Sequence, residues 1–324
     1  MTSIISYIRE ATSRFGAGWN AFWFEPRDVA TVALMRILSG VMALYFVASF
    51  SPDLMAWFGA DGMLPVSLAE RFQPDGAKLS YLTYLSSPTD LGIAHAASLI
   101  VVVLYTAGMF TRVTSVLATI AVLSYIHRAP VVTSQFEPVL AMTMVYLCIA
   151  PTGRRWSFDA WRAARKAEDE DRPLELKTTS VAANVATRLI QIHLCAVFVM
   201  MALAKISGEA WWSGIGVWWL IARPDSRLVD LTGLLAEHPY IINLWTHAIV
   251  LFEFAFPVLI WNRTARPMLI VLAALHWSML ALITSLVPFC VMMFIATLAF
   301  VEPPVVRGLM ARLSHATTAP VPSD

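Results

Sequence analysis

The sequence predicts an all-α integral membrane protein, a helical bundle with about eight transmembrane helices. Hydrophobic residues make up 58% of the 324 residues, and charged residues make up only 14%. A soluble domain usually carries about 25% charged residues, so this balance is typical of a chain that lies in lipid. Apolar runs also fill nearly the whole chain and leave no stretch for a separate soluble domain.

The first segment, residues 1–28, is predicted to be cytoplasmic or interfacial. It carries charges and lacks an apolar core followed by a small-residue cleavage site, so we do not expect a cleaved signal peptide. Aromatic residues and arginines occur together there, which favours a short helix in the membrane interface; a loosely ordered tail is the alternative. These residues are Trp19, Phe22, Trp23, Phe24, Arg9, Arg14 and Arg27.

Eight apolar stretches follow within a transmembrane domain predicted over residues 29–303. A bilayer core of about 30 Å requires about 20 apolar helical residues for each crossing. The third, fourth and eighth stretches are short and could be partly re-entrant. Pro138, Pro257 and Pro288 mark expected kinks or boundaries. The stretches lie near 29–50, 91–110, 113–127, 137–151, 183–206, 241–262, 266–285 and 286–302.

Three connections between these stretches are long. Residues 152–180 combine a short basic helix with an acidic cluster, and we expect a solvated cytoplasmic linker between two four-helix halves. Residues 51–90 and 207–240 are expected outside the cell, and ordered loops of this length are often functional. The second of these loops is rich in tryptophan, for which anchoring at the membrane interface is the alternative explanation.

Basic residues predict the orientation of the chain in the membrane. With the N-terminus inside, fifteen lysines and arginines fall on the cytoplasmic side and five fall outside. Because Lys and Arg are enriched in cytoplasmic loops, both termini are predicted to be cytoplasmic, including a tail over residues 304–324. The net charge is only +1 and the basic residues are spread among the loops, which argues against a nucleic-acid partner.

Ionisable residues inside apolar stretches are costly and usually mark a site or a structural ion pair. Lys205 is the strongest candidate, because it ends the apolar run 196–204 and precedes the tryptophan-rich loop. A lysine there loses hydration, which disfavours its charged form, and a neutral lysine is a base. The alternative is that Lys205 extends to the lipid headgroups.

The other ionisable residues have less specific interpretations. Arg36 is expected to form an ion pair within the bundle, with Glu253 as the guessed partner. His276 is expected to be packed and hydrogen-bonded, or to donate to a bound polar group. The remaining candidates for a cavity or an ion pair are Glu137, Arg188, His193 and His247.

No metal site is expected from the sequence. His247 and Glu253 are six residues apart and therefore face different directions on a helix. Cys148, Cys195 and Cys290 lie in apolar stretches and form no Cys-x-x-Cys motif, so they are expected to be packing residues.

A set of short motifs runs through residues 25–303 in a fixed order. They are RDVATVALMRILSG (27–40), DGMLP (61–65), RRWSFD (154–159), RLIQI (188–192), AK (204–205) and AWWSG (210–214), followed by Glu253, Phe256, Pro257, Arg266 and His276. Together these motifs resemble the horizontally transferred transmembrane (HTTM) family. That family contains the vitamin K-dependent gamma-carboxylases and many bacterial membrane proteins without an assigned activity.

The resemblance implies a carboxylase-like membrane enzyme or a quinone-binding protein. In the carboxylases, a lysine just before a tryptophan-containing segment starts the reaction by deprotonating a quinol, and Lys205 matches that position. The resemblance therefore implies a quinone- or quinol-like lipid as cofactor or ligand, in a cavity that Lys205 lines beside Trp211 or Trp212. It also implies membrane lipids as partners and the bacterial plasma (inner) membrane as the location.

Two departures from the carboxylases limit this inference. A carboxylase histidine corresponds here to residues 134–137, where Glu137 is the polar substitute. The carboxylases also carry a large domain after the last span, whereas about 20 residues follow the eighth stretch here; peptide glutamate carboxylation is therefore not expected.

The alternative function is a non-catalytic accessory factor for maturation or export of a secreted peptide, acting with another membrane or secreted protein. A transporter is disfavoured, because the two halves lack paired broken helices.

Overall fold

The computed structural model describes residues 2–72, 79–85, 87–171, 173 and 178–318. Within these ranges the regular secondary structure is helical, apart from two short strands, β1 (Arg27–Asp28) and β2 (Thr179–Ser180). The helices are α1 (Thr2–Phe24), α2 (Ala30–Ala48), α3 (Leu54–Phe58), α4 (Val66–Arg71), α5 (Pro88–Ala107), α6 (Thr111–Arg128), α7 (Phe136–Leu147), α8 (Phe158–Asp169), α9 (Val181–Ile206), α10 (Glu209–Trp212), α11 (Gly216–Ile221), α12 (Thr232–Ala236), α13 (Pro239–Leu259), α14 (Arg266–Thr284), α15 (Val287–Thr297) and α16 (Pro303–Thr318).

Five helices, α2, α5, α9, α13 and α14, are long and apolar enough to cross a membrane. This confirms the all-helical membrane fold at the level of class. Helices also occupy the other three predicted stretches, as α6, α7 and α15. However, α7 and α15 have only 12 and 11 residues, fewer than the roughly 20 that a crossing requires. Helix α6 has 18 residues but many hydroxyl side chains.

The chain divides into two compact units. The first comprises residues 1–131, 143–189 and 301–324, and the second comprises residues 132–142 and 190–300. In the first unit, α2 packs against α5 along a buried face that includes Ala33 and Val102. A Cβ atom on Gly40 would lie 2.4 Å from Thr106 Oγ1, so glycine is needed for this close approach.

The first unit also contains a small sheet that the sequence did not predict. Strands β1 and β2 pair antiparallel, with Arg27 opposite Ser180 and Asp28 opposite Thr179. The Asp28 carboxylate forms ion pairs with Arg155, at 3.6 Å, and with Arg307. Helix α8 confirms the short basic helix expected in the linker. The basic residues Lys78, Arg172 and Lys177, used to predict orientation, lie outside the described residues.

The second unit is built around α13, α14 and α15. Its buried centre is aromatic: the Phe198 and Phe256 rings stack with centroids 4.0 Å apart, and Trp277 packs against Phe198 and Phe289. The tryptophan-rich loop forms α10, α11 and α12. Between α10 and α11, Gly214 has a φ of 77°, and a Cβ atom there would lie 1.8 Å from the Asn243 side chain. Only glycine fits this turn.

The expected helix boundaries are only partly correct. The N-terminal helix was predicted to be short, but α1 is helical over 23 residues. Pro288 lies in the first turn of α15, which agrees with the helix boundary predicted there. Proline is tolerated at this position because backbone amides in the first turn have no partner within the helix. Pro257 lies inside α13, near its end.

Candidate functional site

The second unit holds a buried ion pair between Lys205 and Glu253. Lys205 lies in the last turn of α9, and its Nζ atom donates to both carboxylate oxygens of Glu253 on α13, at 2.7 and 2.9 Å. The side chains of Lys205 and Glu253 are 17% and 1% exposed. An ammonium group has three donors, so this geometry leaves one donor of Lys205 for another acceptor.

Trp211 covers the ion pair from the tryptophan-rich loop. Lys205 Nζ lies 5.1 Å from the centroid of the Trp211 ring, within the range of a cation–π interaction. The ring lies against Gly216, where a Cβ atom would come within 2.7 Å of Trp211 Cδ2. Glycine at the start of α11 therefore allows the ring to hold its position over Lys205.

His276 on α14 adds an imidazole to the same site. Its ring lies between Phe252 and Trp277, with centroid distances of 5.4 and 4.5 Å. The buried Nε2 atom has no hydrogen-bond partner within the ranges that the structure describes. A buried nitrogen of this kind is costly when it stays unpaired, so it is suited to a polar group of a bound molecule.

These groups surround a cavity of about 340 Å³. Its polar lining comes from α9, α13, α14 and the turn before α7, and most of the rest of the wall is apolar, with Met201, Leu280 and Phe289 among the contributors. Ligand sites typically combine an apolar wall with a few polar groups. The polar lining consists of Gln135, Lys205, Glu253, His276 and Thr284.

A second, mostly apolar groove of about 480 Å³ lies between α13 and α14. It shares Ile249 and His276 with the polar cavity. Most of its side chains are exposed at the helix surface, including Leu251, Met268 and Leu275. Exposed apolar side chains of this kind are expected on the lipid-facing side of helices that are apolar enough to cross a membrane.

No protein-family model, curated protein or solved structure matches this chain. The HTTM resemblance therefore remains an expectation from the sequence.

The guessed pairing of Arg36 with Glu253 is wrong, because Lys205 occupies both oxygens of Glu253. Arg36 is fully buried in the first unit and donates to the carbonyl oxygens of Tyr105, Thr106 and Trp156, at 2.8, 2.7 and 2.6 Å. Tyr105 and Thr106 lie in the last turn of α5, where carbonyls lack helical partners. Arg36 therefore has a structural role in the first unit.

Four other predicted residues do not join the cavity. Trp212 is 67% exposed and donates to the Ile206 carbonyl. His193 is exposed on α9, about 18 Å before Lys205 along the helix. Arg188, in the first unit, donates to the Phe22 carbonyl at 3.1 Å and stacks on the Phe22 ring. His247 is exposed and bonded to the Asn243 carbonyl.

Glu137 has a local role, and its neighbour Gln135 lines the cavity instead. The Glu137 carboxylate accepts from the Ser134 amide at 2.9 Å, so it stabilises the turn that enters α7. Gln135 lies within that turn and lines the polar cavity. The sequence analysis missed Gln135 because a glutamine at the end of an apolar stretch carries no charge signal. No group of three or more His, Cys, Asp or Glu side chains that could hold a metal is found in the described residues.

The first unit contains a polar network that the sequence analysis also missed. His95 bonds to Tyr125 at 2.6 Å and to Ser51 at 2.8 Å. Tyr81, in the loop before α5, bonds to Ser98 at 2.6 Å, and burial raises the pKa of its phenol. Near this network, Arg128 is only 1% exposed and lies 5.2 Å from the Phe58 ring centroid. Its burial depends on a phenylalanine 70 residues earlier, which no local pattern reveals.

Proposed function

We propose that this chain is an HTTM-type membrane protein that binds a quinone- or quinol-like lipid beside Lys205. The observation that carries the proposal is the polar cavity in which the Lys205–Glu253 pair, His276 and Trp211 meet. A ring oxygen of a quinone accepts a hydrogen bond from the remaining donor of Lys205. The flat faces of the ring suit the Trp211 and Phe289 rings in the cavity lining.

The ion pair also provides a base. Transfer of one proton from Lys205 to Glu253 leaves a neutral amine and a neutral carboxylic acid, which a water-poor cavity tolerates better than two charges. The amine can then accept the proton of a quinol hydroxyl, which leaves a quinolate beside the new ammonium. The proposal ends at this proton transfer and includes no carboxylation of a peptide glutamate.

The apolar groove supports a ligand with a hydrocarbon chain. Along α14, its lining residues from Met268 to Met279 extend over about 16 Å. This length is close to half of a bilayer core of about 30 Å. Because the groove and the polar cavity share His276, a lipid with its ring near Lys205 can direct its chain along the groove.

The proposal includes a location and an orientation. We propose eight crossings, with α6, α7 and α15 added to the five long apolar helices. Both termini then lie in the cytoplasm, on the side that carries most of the basic residues. The membrane is proposed to be the bacterial plasma membrane.

Lipid extraction from the purified protein tests the proposed ligand. The protein is purified in mild detergent, and bound quinones are identified by absorbance and mass spectrometry. Wild type is expected to retain a quinone, and Lys205→Met and Trp211→Ala are expected to retain about tenfold less, since each loses a contact worth roughly 1–2 kcal/mol. Trp212→Ala is the matched control and should behave like wild type, because its ring lies outside the cavity.

The groove is tested in the same way. Leu272→Trp places a large ring in the groove and should lower quinone retention, whereas Val271→Trp alters an exposed neighbour outside it. If wild type retains no specific lipid, the proposed ligand is rejected. The non-catalytic accessory role then becomes the better explanation. Equal retention by wild type and Trp211→Ala would also contradict the proposal.

A further inference from the structure

A second polar cavity lies in the first unit, remote in sequence from Lys205. It has a volume of about 430 Å³ and is bounded by the start of α6, the end of α7 and the start of α9. Two arginines line it, Arg112 and Arg154, together with the side chains of Thr111, Ser115 and Ser180. Two guanidinium groups that line one cavity are side chains suited to bind a phosphate.

Arg112 lies at the exposed rim of this cavity. Its guanidinium has no hydrogen-bond or ion-pair partner in the described part of the chain, although it lines the cavity. Arg154 is held in place, with Nη1 donating to the Thr179 carbonyl at 3.4 Å. Arg154 is therefore positioned by the main chain, whereas the Arg112 side chain lies at the rim of the cavity and can move to contact a bound anion.

The carboxylate of Asp159, which bonds to the lining residue Thr111, is already occupied by hydrogen-bond donors. Asp159 accepts from the amides of Phe110 and Thr111, both at 2.8 Å, and from the Thr111 hydroxyl at 2.9 Å. It therefore caps the start of α6. The Thr111 hydroxyl donates to Asp159 and the Ser115 hydroxyl donates to the Arg112 carbonyl. The guanidinium of Arg112 is therefore the main donor that the cavity offers to an anion, with Arg154 and Ser180 also in the lining.

We propose that this cavity binds the phosphate of an anionic phospholipid headgroup. The lipid source is favoured over a free phosphate because exposed apolar side chains border the cavity on the same helices. Ile149 in its lining is 47% exposed, and Val116 on α6 is 45% exposed. Acyl chains attached to a phosphate at Arg112 would cover these side chains. Basic pockets between transmembrane helices on the cytoplasmic side are known to hold such headgroups.

Titration with lipids of different charge tests this site. The purified protein in neutral detergent is titrated with phosphatidylglycerol or phosphatidylcholine of identical chains, and bound lipid is counted by native mass spectrometry. Phosphatidylglycerol should saturate one site that phosphatidylcholine fills weakly. Arg112→Gln and Arg154→Gln should each weaken this binding about tenfold, because one charge-assisted contact is lost.

Three comparisons keep the test decisive. Arg263→Gln removes an exposed arginine outside the cavity and should leave the affinity unchanged. Arg112→Lys retains the charge and should bind more tightly than Arg112→Gln, which separates the site from a folding defect. Equal weakening by Arg263→Gln would show general charge attraction and overturn the proposal. Competition by millimolar inorganic phosphate, with no preference between the two lipids, would assign the cavity to free phosphate and overturn the lipid source. The quinone experiment can fail without affecting this result.

Discussion

Among individual residues, Lys205 and Glu253 depend on each other most strongly. Each side chain is largely removed from water, and a buried charge without its partner is strongly unfavourable. A buried pair as a whole adds little stability relative to apolar residues of similar size. The pair is therefore better explained by its place in the cavity than by its contribution to the free energy of unfolding.

Removal of one partner of this pair should destabilise the second unit. Glu253→Gln leaves the Lys205 ammonium without its carboxylate, so we expect the free energy of unfolding to fall by about 3–5 kcal/mol. Thermal unfolding in detergent micelles measures the change. The double variant Lys205→Met, Glu253→Leu should recover most of the loss. A double variant as unstable as Glu253→Gln would mean that the pair itself supplies the stability.

Arg36 gives a second prediction for a single residue. Its guanidinium bonds to two carbonyls in the last turn of α5 and to Trp156 in the following linker. A lysine carries the same charge but cannot match this fork of donors. Arg36→Lys should lower the free energy of unfolding by about 2 kcal/mol, because charge-assisted hydrogen bonds are lost.

Arg14→Lys is the matched control for this change. Arg14 lies on the exposed face of α1 and its ion pair with Glu10 is largely solvated, so its replacement should change stability by less than about 0.5 kcal/mol. Proteolysis of residues 152–171 gives a second measurement, since the linker is tied to α5 through Arg36. Equal stability of Arg36→Lys and wild type would show that the carbonyls are satisfied in another way.

At the scale of elements, the tryptophan-rich loop is an ordered part of the site. Helices α10 and α11 are short, and their positions depend on glycines that permit close packing. Gly214 allows the turn between them, and Gly216 leaves room for the Trp211 ring. The loop therefore positions one aromatic ring over Lys205, while the neighbouring Trp212 remains exposed.

A methyl group at Gly216 should displace this ring. Gly216→Ala places Cβ 2.7 Å from Trp211, so we expect a loss of about 1–3 kcal/mol in the free energy of unfolding from overpacking. Quinone retention should fall with it, as Trp211 moves from Lys205. Gly233→Ala in α12 is the control, because its Cβ meets no atom within 4 Å; it should leave stability unchanged or raise it. A normal quinone content in Gly216→Ala would argue against the role of Trp211.

For the whole molecule, the distribution of basic residues gives a prediction about the membrane. Residues 207–240 should face the outside, and the basic linker should face the cytoplasm. In a variant without the three native cysteines, Asp225→Cys should react with a membrane-impermeant maleimide in intact cells. Arg165→Cys should react only after lysis, although both positions are exposed. The opposite labelling pattern would reverse the orientation.

Much of the helical organisation could be predicted from local sequence. A helix in lipid must satisfy its own backbone hydrogen bonds, so each long apolar stretch leaves few alternatives to a helix. Helices therefore occupy all eight predicted stretches. The number of crossings could not be derived in the same way, since α7 and α15 are shorter than a bilayer core and length alone does not place them.

The site was predicted in part. Lys205 and His276 were singled out because ionisable groups in apolar stretches are costly, and both line the cavity. The partner of Lys205 was missed because depth along a stretch does not tell which helices are neighbours. Gln135 was missed because it carries no charge. In the first unit, the burial of Arg128 was missed because Arg128 bonds to Phe58, which is distant in the sequence.

Sequence alone therefore determined the membrane class, the helical stretches and the place of Lys205 at the end of an apolar run, because these follow from composition and local order. The tertiary structure determined that Lys205 is paired with Glu253, that Trp211 and not Trp212 covers it, and that the polar cavity shares His276 with an apolar groove. These features depend on contacts between residues far apart in the chain. Such contacts are set by packing, which local periodicity does not encode.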